Sequence, residues 1–231
     1  MALTLYFHPF SSYCQKAMLA LYENATPFTP KIINLGDPIS AGALRAVWPI
    51  GKFPVLRDDA RNETVPESSV IVEYLDRHYP GPVKLLPADP DRARRTRALD
   101  RFFDLYINDP MAKVVADNFR PDGKNDPYGV ETAKRTLATA YDVLEAELDG
   151  NTWAMGGDFS LADCAAAPFL FYADLILPLA DGHPRIAGYY ARLTARPSFL
   201  RVLQEARPYC TGTPFETRYI AAWDRVMGSA A

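Results

Sequence analysis

The chain has 231 residues, 48% of them apolar and 23% charged, a composition that is typical of a folded globular protein and excludes a mainly disordered chain. The formal net charge of −3 gives no electrostatic reason to expect a nucleic acid or a membrane surface as a partner. The start of the sequence, MALTLYFHPF, lacks the basic and apolar regions of a signal peptide. No run of about 18 uncharged apolar residues is long enough to span a bilayer.

The cysteines are few and widely spaced. Cys14, Cys164 and Cys210 form neither a metal-ligand pattern nor a CxxC pair. This spacing predicts a protein without a bound metal that resides in the reducing cytoplasm.

The first 80 residues predict a small α/β domain. Apolar and polar residues alternate from Leu3 to Phe7, which predicts a strand, and a helix follows from Ser11 or Ser12 to about Glu23. The remaining predicted elements are strands at 31–33, 55–57 and 63–65 and helices at 40–47 and 68–79. The element order is therefore β-α-β-α-β-β-α with a mixed sheet.

The rest of the chain predicts a second, all-helical domain. Residues 81–90 are rich in proline and predict a linker, so the domains are expected at 1–80 and 91–231. A long helix is expected from 91 to about 119 with a kink at Pro110, and a later one at 160–171 with an interruption at Pro168. Further helices are predicted at 130–148, 186–195, 199–206 and 215–227.

Three short motifs occur in a fixed order within the first domain. Phe10-Ser11-Ser12-Tyr13-Cys14 lies at the first strand-to-helix turn, GKFPVL spans 51–56, and ESSVIVEYL spans 67–75. In this order and spacing the sequence resembles the cytosolic glutathione transferases, and more narrowly the bacterial, serine-type, theta/zeta-like members. The resemblance covers nearly the whole chain. It implies a thioredoxin-like domain that binds glutathione, followed by a helical domain that supplies the pocket for an electrophile.

The resemblance implies that Ser11 activates the glutathione thiol, with Ser12 as the alternative. A thiol with a pKa of about 8.5 is only roughly 3% thiolate at pH 7, and lowering that pKa by about 2 requires roughly 2.7 kcal/mol. A hydroxyl that donates to a charged sulfur supplies about 1.5–3 kcal/mol, and a helix N-terminus adds about 0.3–1 kcal/mol. One serine is therefore sufficient. The competing interpretation is that either serine only caps the helix.

Other groups near this turn have weaker claims to the chemistry. Cys14 is interpreted as a small buried residue, with a redox role as the alternative. Tyr6 and Tyr13 are lesser alternatives to Ser11 as thiol-activating hydroxyls, and His8 is interpreted as a turn residue.

The resemblance also implies the residues that hold glutathione. Lys52 pairs with the glycyl carboxylate, and a cis bond between Phe53 and Pro54 turns the Phe53 backbone toward the cysteinyl unit. Glu67 accepts from the γ-glutamyl ammonium, and Ser68 at a helix start holds the γ-glutamyl carboxylate. The alternatives are a solvated lysine, an ordinary trans proline and a plain helix cap.

The helical domain is expected to complete the site. Phe10, Tyr106 and Met111 are predicted to line the electrophile pocket. Asp100 and Asp104 are candidates to reach the glutathione ammonium of a neighbouring subunit in a homodimer, or else belong to a solvated helix face. Ser160-Leu161-Ala162-Asp163 fits a capping box and is interpreted as structural.

These observations predict a cytoplasmic glutathione transferase that detoxifies small hydrophobic electrophiles, with glutathione as co-substrate. The alternatives are an isomerase, dehalogenase or peroxide reductase that uses the same thiolate, or a glutathione-fold binding protein without turnover. Tyr13 and Met18 replace the cysteine and arginine of the corresponding stretch in maleylacetoacetate isomerases, which argues against that activity.

Overall fold

A mixed sheet of four strands organises the first domain in the computed structural model, which describes residues 2–179 and 182–229. The strand order is β2-β1-β3-β4, with β1 and β2 parallel and the other neighbours antiparallel. The strands are β1 (Leu3–Phe7), β2 (Thr29–Ile32), β3 (Val55–Asp58) and β4 (Glu63–Pro66). The predicted mixed sheet is therefore present, with each strand displaced by two residues at most.

Three helices cover the two faces of this sheet: α1 (Ser12–Glu23), α2 (Pro38–Val47) and α3 (Ser68–His78). Helices α1 and α3 contact each other and pack in the main core with the inward-facing residues of β1. Helix α2 packs on the opposite face, where Leu44 meets Ile33 and Val55 in a smaller cluster. The turn between the end of β1 and the start of α1 lies at one edge of this domain.

The second domain consists of helices α4 to α10. They are α4 (Pro90–Phe102), α5 (Asp109–Asp117), α6 (Pro127–Glu147), α7 (Leu161–Asp174), α8 (Pro184–Thr194), α9 (Pro197–Ala206) and α10 (Glu216–Ser229). Residues 79–89 form neither helix nor strand. The predicted domain limits stay a prediction, because the hydrophobic core continues without a break from the sheet into α7.

The break in the first long helix differs from the predicted kink at Pro110. A π-helical segment (Phe103–Asn108) lies between α4 and α5, and Pro110 is the second residue of α5. At that position the missing N–H of proline disturbs the helix least. The wider π turn before it absorbs the irregularity, which is why the break precedes the proline.

The predicted interruption of α7 at Pro168 is wrong. Helix α7 continues through Pro168, and residues 161–173 are all buried. A proline inside a helix costs about 3 kcal/mol, so burial on every side must offset that cost. The predicted capping box is present at the start of this helix, since the Ser160 side chain accepts from the Asp163 backbone N–H and the Asp163 carboxylate accepts from the Ser160 backbone N–H.

Helix α1 is the element that joins the two domains. Residues 14–21 are buried, and the helix contacts both α3 and α7. The first turn of α1 therefore lies where the sheet domain meets the helical domain. Within the described residues, no helix is both long enough and apolar enough to cross a membrane.

Candidate active site

Two cavities adjoin at the first turn of α1. One has a volume of about 430 Å³ and includes Ser11 and Ser12 in its lining. The other has a volume of about 390 Å³ and includes Tyr13. Because these three residues are consecutive, the start of α1 forms the wall that the two cavities share.

The larger of these two cavities is apolar. No charged side chain of residues 2–179 and 182–229 lines it, and its walls are mostly aromatic and aliphatic: Phe10, Met111, Val115, Phe119, Tyr172, Leu175, Ile176 and Phe215. The predictions of Phe10 and Met111 as wall residues agree with this placement. An uncharged, apolar molecule is what such a cavity accommodates best.

Tyr106 lies outside the apolar cavity, contrary to expectation. Its side chain is half exposed and packs against Phe102, with ring centroids 5.5 Å apart, in a separate shallow groove beside α6. Tyr106 belongs to the π-helical segment and Met111 to α5, and their side chains line different cavities.

The second cavity is polar and gathers the predicted binding residues of the first domain. Lys52, Phe53, Pro54, Glu67 and Ser68 all line it. The Phe53–Pro54 peptide bond is cis, as the sequence predicted. Sequence reasoning did not assign three further lining residues: Trp48, Ser69 and Arg101.

Glu67 has an unusual backbone conformation at the edge of the polar cavity. It precedes α3 with φ 70° and ψ 120°, and its side chain makes no capping hydrogen bond. Such a conformation costs a non-glycine residue about 1–3 kcal/mol and is found most often at binding and catalytic sites. Ser68, the first residue of α3, is buried beside it.

The two serines of the shared wall differ in how their hydroxyl groups are used. The Ser12 hydroxyl donates to Asn108 Oδ1 at 2.8 Å. Ser11 Oγ caps α1 by accepting from the Cys14 N–H at 3.5 Å, and the Ser11 hydroxyl also lies within hydrogen-bonding reach of the Cys14 thiol, a weak acceptor. Ser11 can therefore donate to a molecule in the cavity, whereas Ser12 must first release Asn108.

Family models match both domains. The model described as Glutathione S-transferase, N-terminal domain matches residues 5–83, and the model described as Glutathione S-transferase, C-terminal domain matches residues 127–192. The chain belongs to the glutathione S-transferase family. The predicted family and the predicted fold, a thioredoxin-like domain followed by a helical one, are confirmed. The serine-type, theta/zeta-like subtype stays a prediction.

Similar glutathione S-transferases extend over most of the chain. Glutathione S-transferase GstB of Escherichia coli is 25% identical over 202 residues, which are 87% of this chain and 97% of the relative. Maleylacetoacetate isomerase of Pseudomonas aeruginosa is 28% identical over 200 residues, 86% of this chain and 93% of that protein. A glutathione S-transferase structure from Methylobacillus flagellatus with GSH bound is 27% identical, with a TM-score of 0.79, and the match covers 87% of this chain and 98% of that one.

The remaining groups near the shared wall are held in protonated or inert forms. Burial, together with Asp104 and Asp109, raises the pKa of Tyr13, whose hydroxyl donates to Asp109 Oδ1 at 3.2 Å. Burial raises the pKa of the Cys14 thiol to about 12, so this cysteine stays uncharged at neutral pH. Burial also lowers the pKa of His8, whose Nδ1 accepts from the Phe10 N–H at 3.2 Å within the turn.

A buried lysine connects the polar cavity to the helical domain. Lys16 is fully buried, and its Nζ lies 2.5 Å from Asp100 Oδ1 and 3.0 Å from Asp104 Oδ1. The same ammonium donates to Ser69 Oγ at 2.8 Å. Arg101 binds the other oxygen of Asp104 at 2.8 Å. Sequence reasoning missed Lys16, although a lysine among the apolar residues of α1 was the available signal.

The predicted contacts of Asp100 and Asp104 with a neighbouring subunit stay predictions. Within this chain both carboxylates face Lys16, and the Asp100 side chain is only 2% exposed. Burial, the largest influence, raises the pKa of Asp100, while Lys16 opposes that rise. Asp104 lines the polar cavity of its own chain.

Proposed function

We propose that this chain is a glutathione transferase in which glutathione occupies the polar cavity and an uncharged electrophile occupies the apolar one. The observation that carries this proposal is that both cavities reach the start of α1, where Ser11 and Ser12 line the apolar cavity and the adjacent Tyr13 lines the polar one. A glutathione sulfur atom held at the start of α1 can reach an electrophile in the apolar cavity while the rest of glutathione stays in the polar cavity.

The charges of the polar cavity match those of glutathione. Glutathione carries two carboxylates and one ammonium. Lys52 and Arg101 supply positive charge, while Glu67 and Asp104 supply negative charge. We assign the glycyl carboxylate to Lys52, the cysteinyl backbone to Phe53 next to Pro54, the γ-glutamyl ammonium to Glu67, and the γ-glutamyl carboxylate to Ser68 at the start of α3.

Ser11 stabilises the reactive form of the thiol in this proposal. The thiol proton leaves to solvent, and the Ser11 hydroxyl donates to the resulting thiolate at the positive end of α1. The thiolate then attacks an electrophilic carbon. A carbon–sulfur bond forms, and either a leaving group departs with its electron pair or the electrons move onto the acceptor. No side chain is needed as a general base, because solvent at pH 7 accepts a proton from a thiol whose pKa has been lowered.

The composition of the apolar cavity argues against one alternative activity. Maleylacetoacetate, the substrate class named for one relative, is a dicarboxylate, and within the described part of the chain no cationic side chain lines the apolar cavity. A carboxylate would therefore lose its hydration there without gaining a partner. Dehalogenation and peroxide reduction use the same thiolate, so a panel of aryl halides, alkyl halides and hydroperoxides distinguishes them.

The test of this proposal follows the glutathione thiolate by its ultraviolet absorbance against pH. In Ser11→Ala the pKa of the bound thiol should rise by about 1 to 2, which equals about 1.4–2.7 kcal/mol of lost thiolate stabilisation. Ser12→Ala is the matched control and should leave that pKa nearly unchanged. A shift in Ser12→Ala alone would move the role to Ser12. A wild-type chain that does not bind glutathione would reject the function.

We also propose that the active form is a homodimer in the cytoplasm with a role in detoxification. An exposed apolar groove, which includes Phe102, Tyr106 and Val143, runs between the π-helical segment and α6, and a second copy of the chain would cover it. The three cysteines are free and buried, which favours a reducing compartment. Conjugation of apolar electrophiles to a charged tripeptide makes them soluble, which supports the role in detoxification.

A further inference from the structure

The turn that carries Ser11 is held by hydrogen bonds from three directions. Within the turn, the Ser11 N–H donates to the His8 carbonyl at 3.0 Å. From α1, Gln15 Nε2 donates to the Pro9 carbonyl at 2.9 Å. From the helical domain, the Tyr172 hydroxyl donates to the Phe10 carbonyl at 3.0 Å. The two central carbonyls of the turn therefore depend on side chains for their hydrogen bonds.

Tyr172 differs from the other donors because it belongs to the helical domain and also lines the apolar cavity. It lies on α7, is buried, and its hydroxyl also accepts from Gln15 Nε2 at 2.9 Å. Its ring lines the apolar cavity and meets the Phe10 ring edge-on, with centroids 5.6 Å apart. Burial raises its pKa well above the usual value for tyrosine, so the hydroxyl stays a donor at all pH values at which the protein works. One side chain thus contacts both the electrophile cavity and the turn before Ser11.

We propose that Tyr172 is a positioning residue for Ser11, which holds the Pro9–Phe10 turn so that the Ser11 hydroxyl reaches the glutathione sulfur. This inference rests on the proposed function and adds a residue of the helical domain to the activation of the thiol. The Phe10 carbonyl is partly buried beside an apolar cavity, where a carbonyl without a donor is unfavourable. Loss of the Tyr172 hydroxyl would therefore allow the turn to move until the Phe10 carbonyl finds another partner.

Such a movement would affect the thiol and leave the binding of the rest of glutathione in place. A hydrogen bond to sulfur depends steeply on its distance and angle, so a small displacement of Ser11 weakens it. The charged ends of glutathione are assigned to Lys52, Glu67 and Ser68, which belong to other parts of the fold. The expected result is a raised thiol pKa with an unchanged affinity for glutathione in its thiol form.

The experiment compares two buried tyrosines of the helical domain that both donate to a backbone carbonyl. Tyr172→Phe keeps the ring and the cavity wall but removes the donor. Tyr141→Phe is the matched control, because its hydroxyl donates to the Leu177 carbonyl at 3.1 Å and the residue lines neither cavity. In Tyr172→Phe the pKa of the bound thiol should rise by about 0.5, which lowers the thiolate fraction roughly threefold at pH 5 and about 1.5-fold at pH 7 if the wild-type pKa is about 6.5, and kcat should fall by the same factors. Tyr141→Phe should leave both values unchanged.

The same substitution made in a Ser11→Ala chain distinguishes a positioning role of Tyr172 from a general loss of stability. If Tyr172 acts through Ser11, then Tyr172→Phe should produce no further rise in the thiol pKa when Ser11 is already alanine. A further rise of the same size would show that Tyr172 acts independently and would overturn the inference. Equal thiol pKa values in wild type, Tyr172→Phe and Tyr141→Phe would overturn it as well.

The outcomes also distinguish this inference from the proposed function. A wild-type chain that forms the glutathione thiolate, with Tyr172→Phe unchanged, rejects the inference alone. A wild-type chain that forms no thiolate rejects both. If Tyr172→Phe does not fold, Gln15→Met decides the question, because it removes the donor both to the Pro9 carbonyl and to the Tyr172 hydroxyl, while Gln15 itself does not line the apolar cavity. It should raise the thiol pKa in the same direction, and an unchanged pKa there would overturn the inference.

Discussion

Ser11 and Ser12, at the start of α1, differ in the hydrogen bonds that their hydroxyl groups make. Ser12 donates its proton to Asn108 Oδ1, while Ser11 uses its oxygen as the helix cap and has only the weakly accepting Cys14 thiol beside its hydroxyl. A hydroxyl can cap a helix and donate to a thiolate at the same time, because the first role uses a lone pair and the second uses the hydrogen. Capping of α1 is therefore compatible with the catalytic role that we propose for Ser11.

Chemical inertness of the cysteines is a prediction at the same scale. All three are buried, and burial raises the pKa of Cys14 to about 12 and that of Cys164 well above its usual value. Iodoacetamide at pH 7.5 should leave the native chain unmodified, because alkylation requires an accessible thiolate. Mass spectrometry checks this, and the same treatment in urea, where all three should react, is the control. Rapid modification of native Cys14 would restore its redox role as an explanation.

The sequence could not decide between Ser11 and Ser12 as the thiol-activating residue, and the reason is physical. Ser11 and Ser12 are adjacent and chemically identical, and both suit a helix start. Their difference arises from Asn108, which lies 96 positions further along the chain. Only the packing of the π-helical segment against α1 brings this amide to Ser12.

At the scale of elements, prolines mark the starts of helices more often than their ends. Five helices begin at a proline, and the sequence-based predictions placed these starts one to three residues too late: Pro38, Pro90, Pro127, Pro184 and Pro197. In three of them the preceding aspartate caps the helix: Asp37, Asp89 and Asp126. Both residue types favour the helix start. The aspartate side chain accepts a hydrogen bond from a free backbone N–H of the first turn, and proline has no backbone N–H that would need a partner there.

Other predictions from the sequence were accurate because local chemistry determined them. The strand β1 and the capping box at Ser160 follow from short patterns, whereas the cis bond before Pro54 was implied by the resemblance to glutathione transferases. The placement of Tyr106, the continuity of α7 through Pro168 and the burial of Lys16 were missed. In each of those cases the outcome depends on contacts between elements far apart in the sequence, which one sequence does not reveal.

The ion pairs of Lys16 give a prediction for the link between α1 and α4. Lys16→Met should reduce the free energy of unfolding by about 3–5 kcal/mol, because Asp100 and Asp104 lose a buried partner. Lys84→Met is the control, since Lys84 is 60% exposed and its pair with Asp76 should contribute about 1 kcal/mol or less. Urea denaturation measures both.

A double variant tests the physical cause of that loss. Lys16→Met combined with Asp100→Asn should recover part of the stability, because it removes one uncompensated carboxylate while Asp104 keeps Arg101. If Lys16→Met alone is as stable as the wild-type chain, the ammonium does not hold these elements together.

At the scale of the whole molecule, the apolar groove beside α6 predicts dimer formation. The single chain has a mass of 25.7 kDa, so sedimentation equilibrium at micromolar concentration should report about twice that value. Val143→Glu should shift the mass toward the monomer, because Val143 is 47% exposed and a charge there would be buried on association. A charge at an exposed site away from the groove, such as Ile39→Glu, should not. A wild-type mass near that of one chain would reject the homodimer.

Because α1 is enclosed by both domains, the two domains are expected to unfold together. Its residues 14–21 are covered partly by the sheet domain and partly by α7, and one hydrophobic cluster includes residues of both domains. Separating the halves would expose the side of α1 that faces α7 and would bring Lys16 and its carboxylates into water. The two domains that are distinguished by their folds thus form a single cooperative unit of unfolding. A tripeptide bound mainly by the first domain will therefore protect the helices of the second from proteolysis and heat to the same extent.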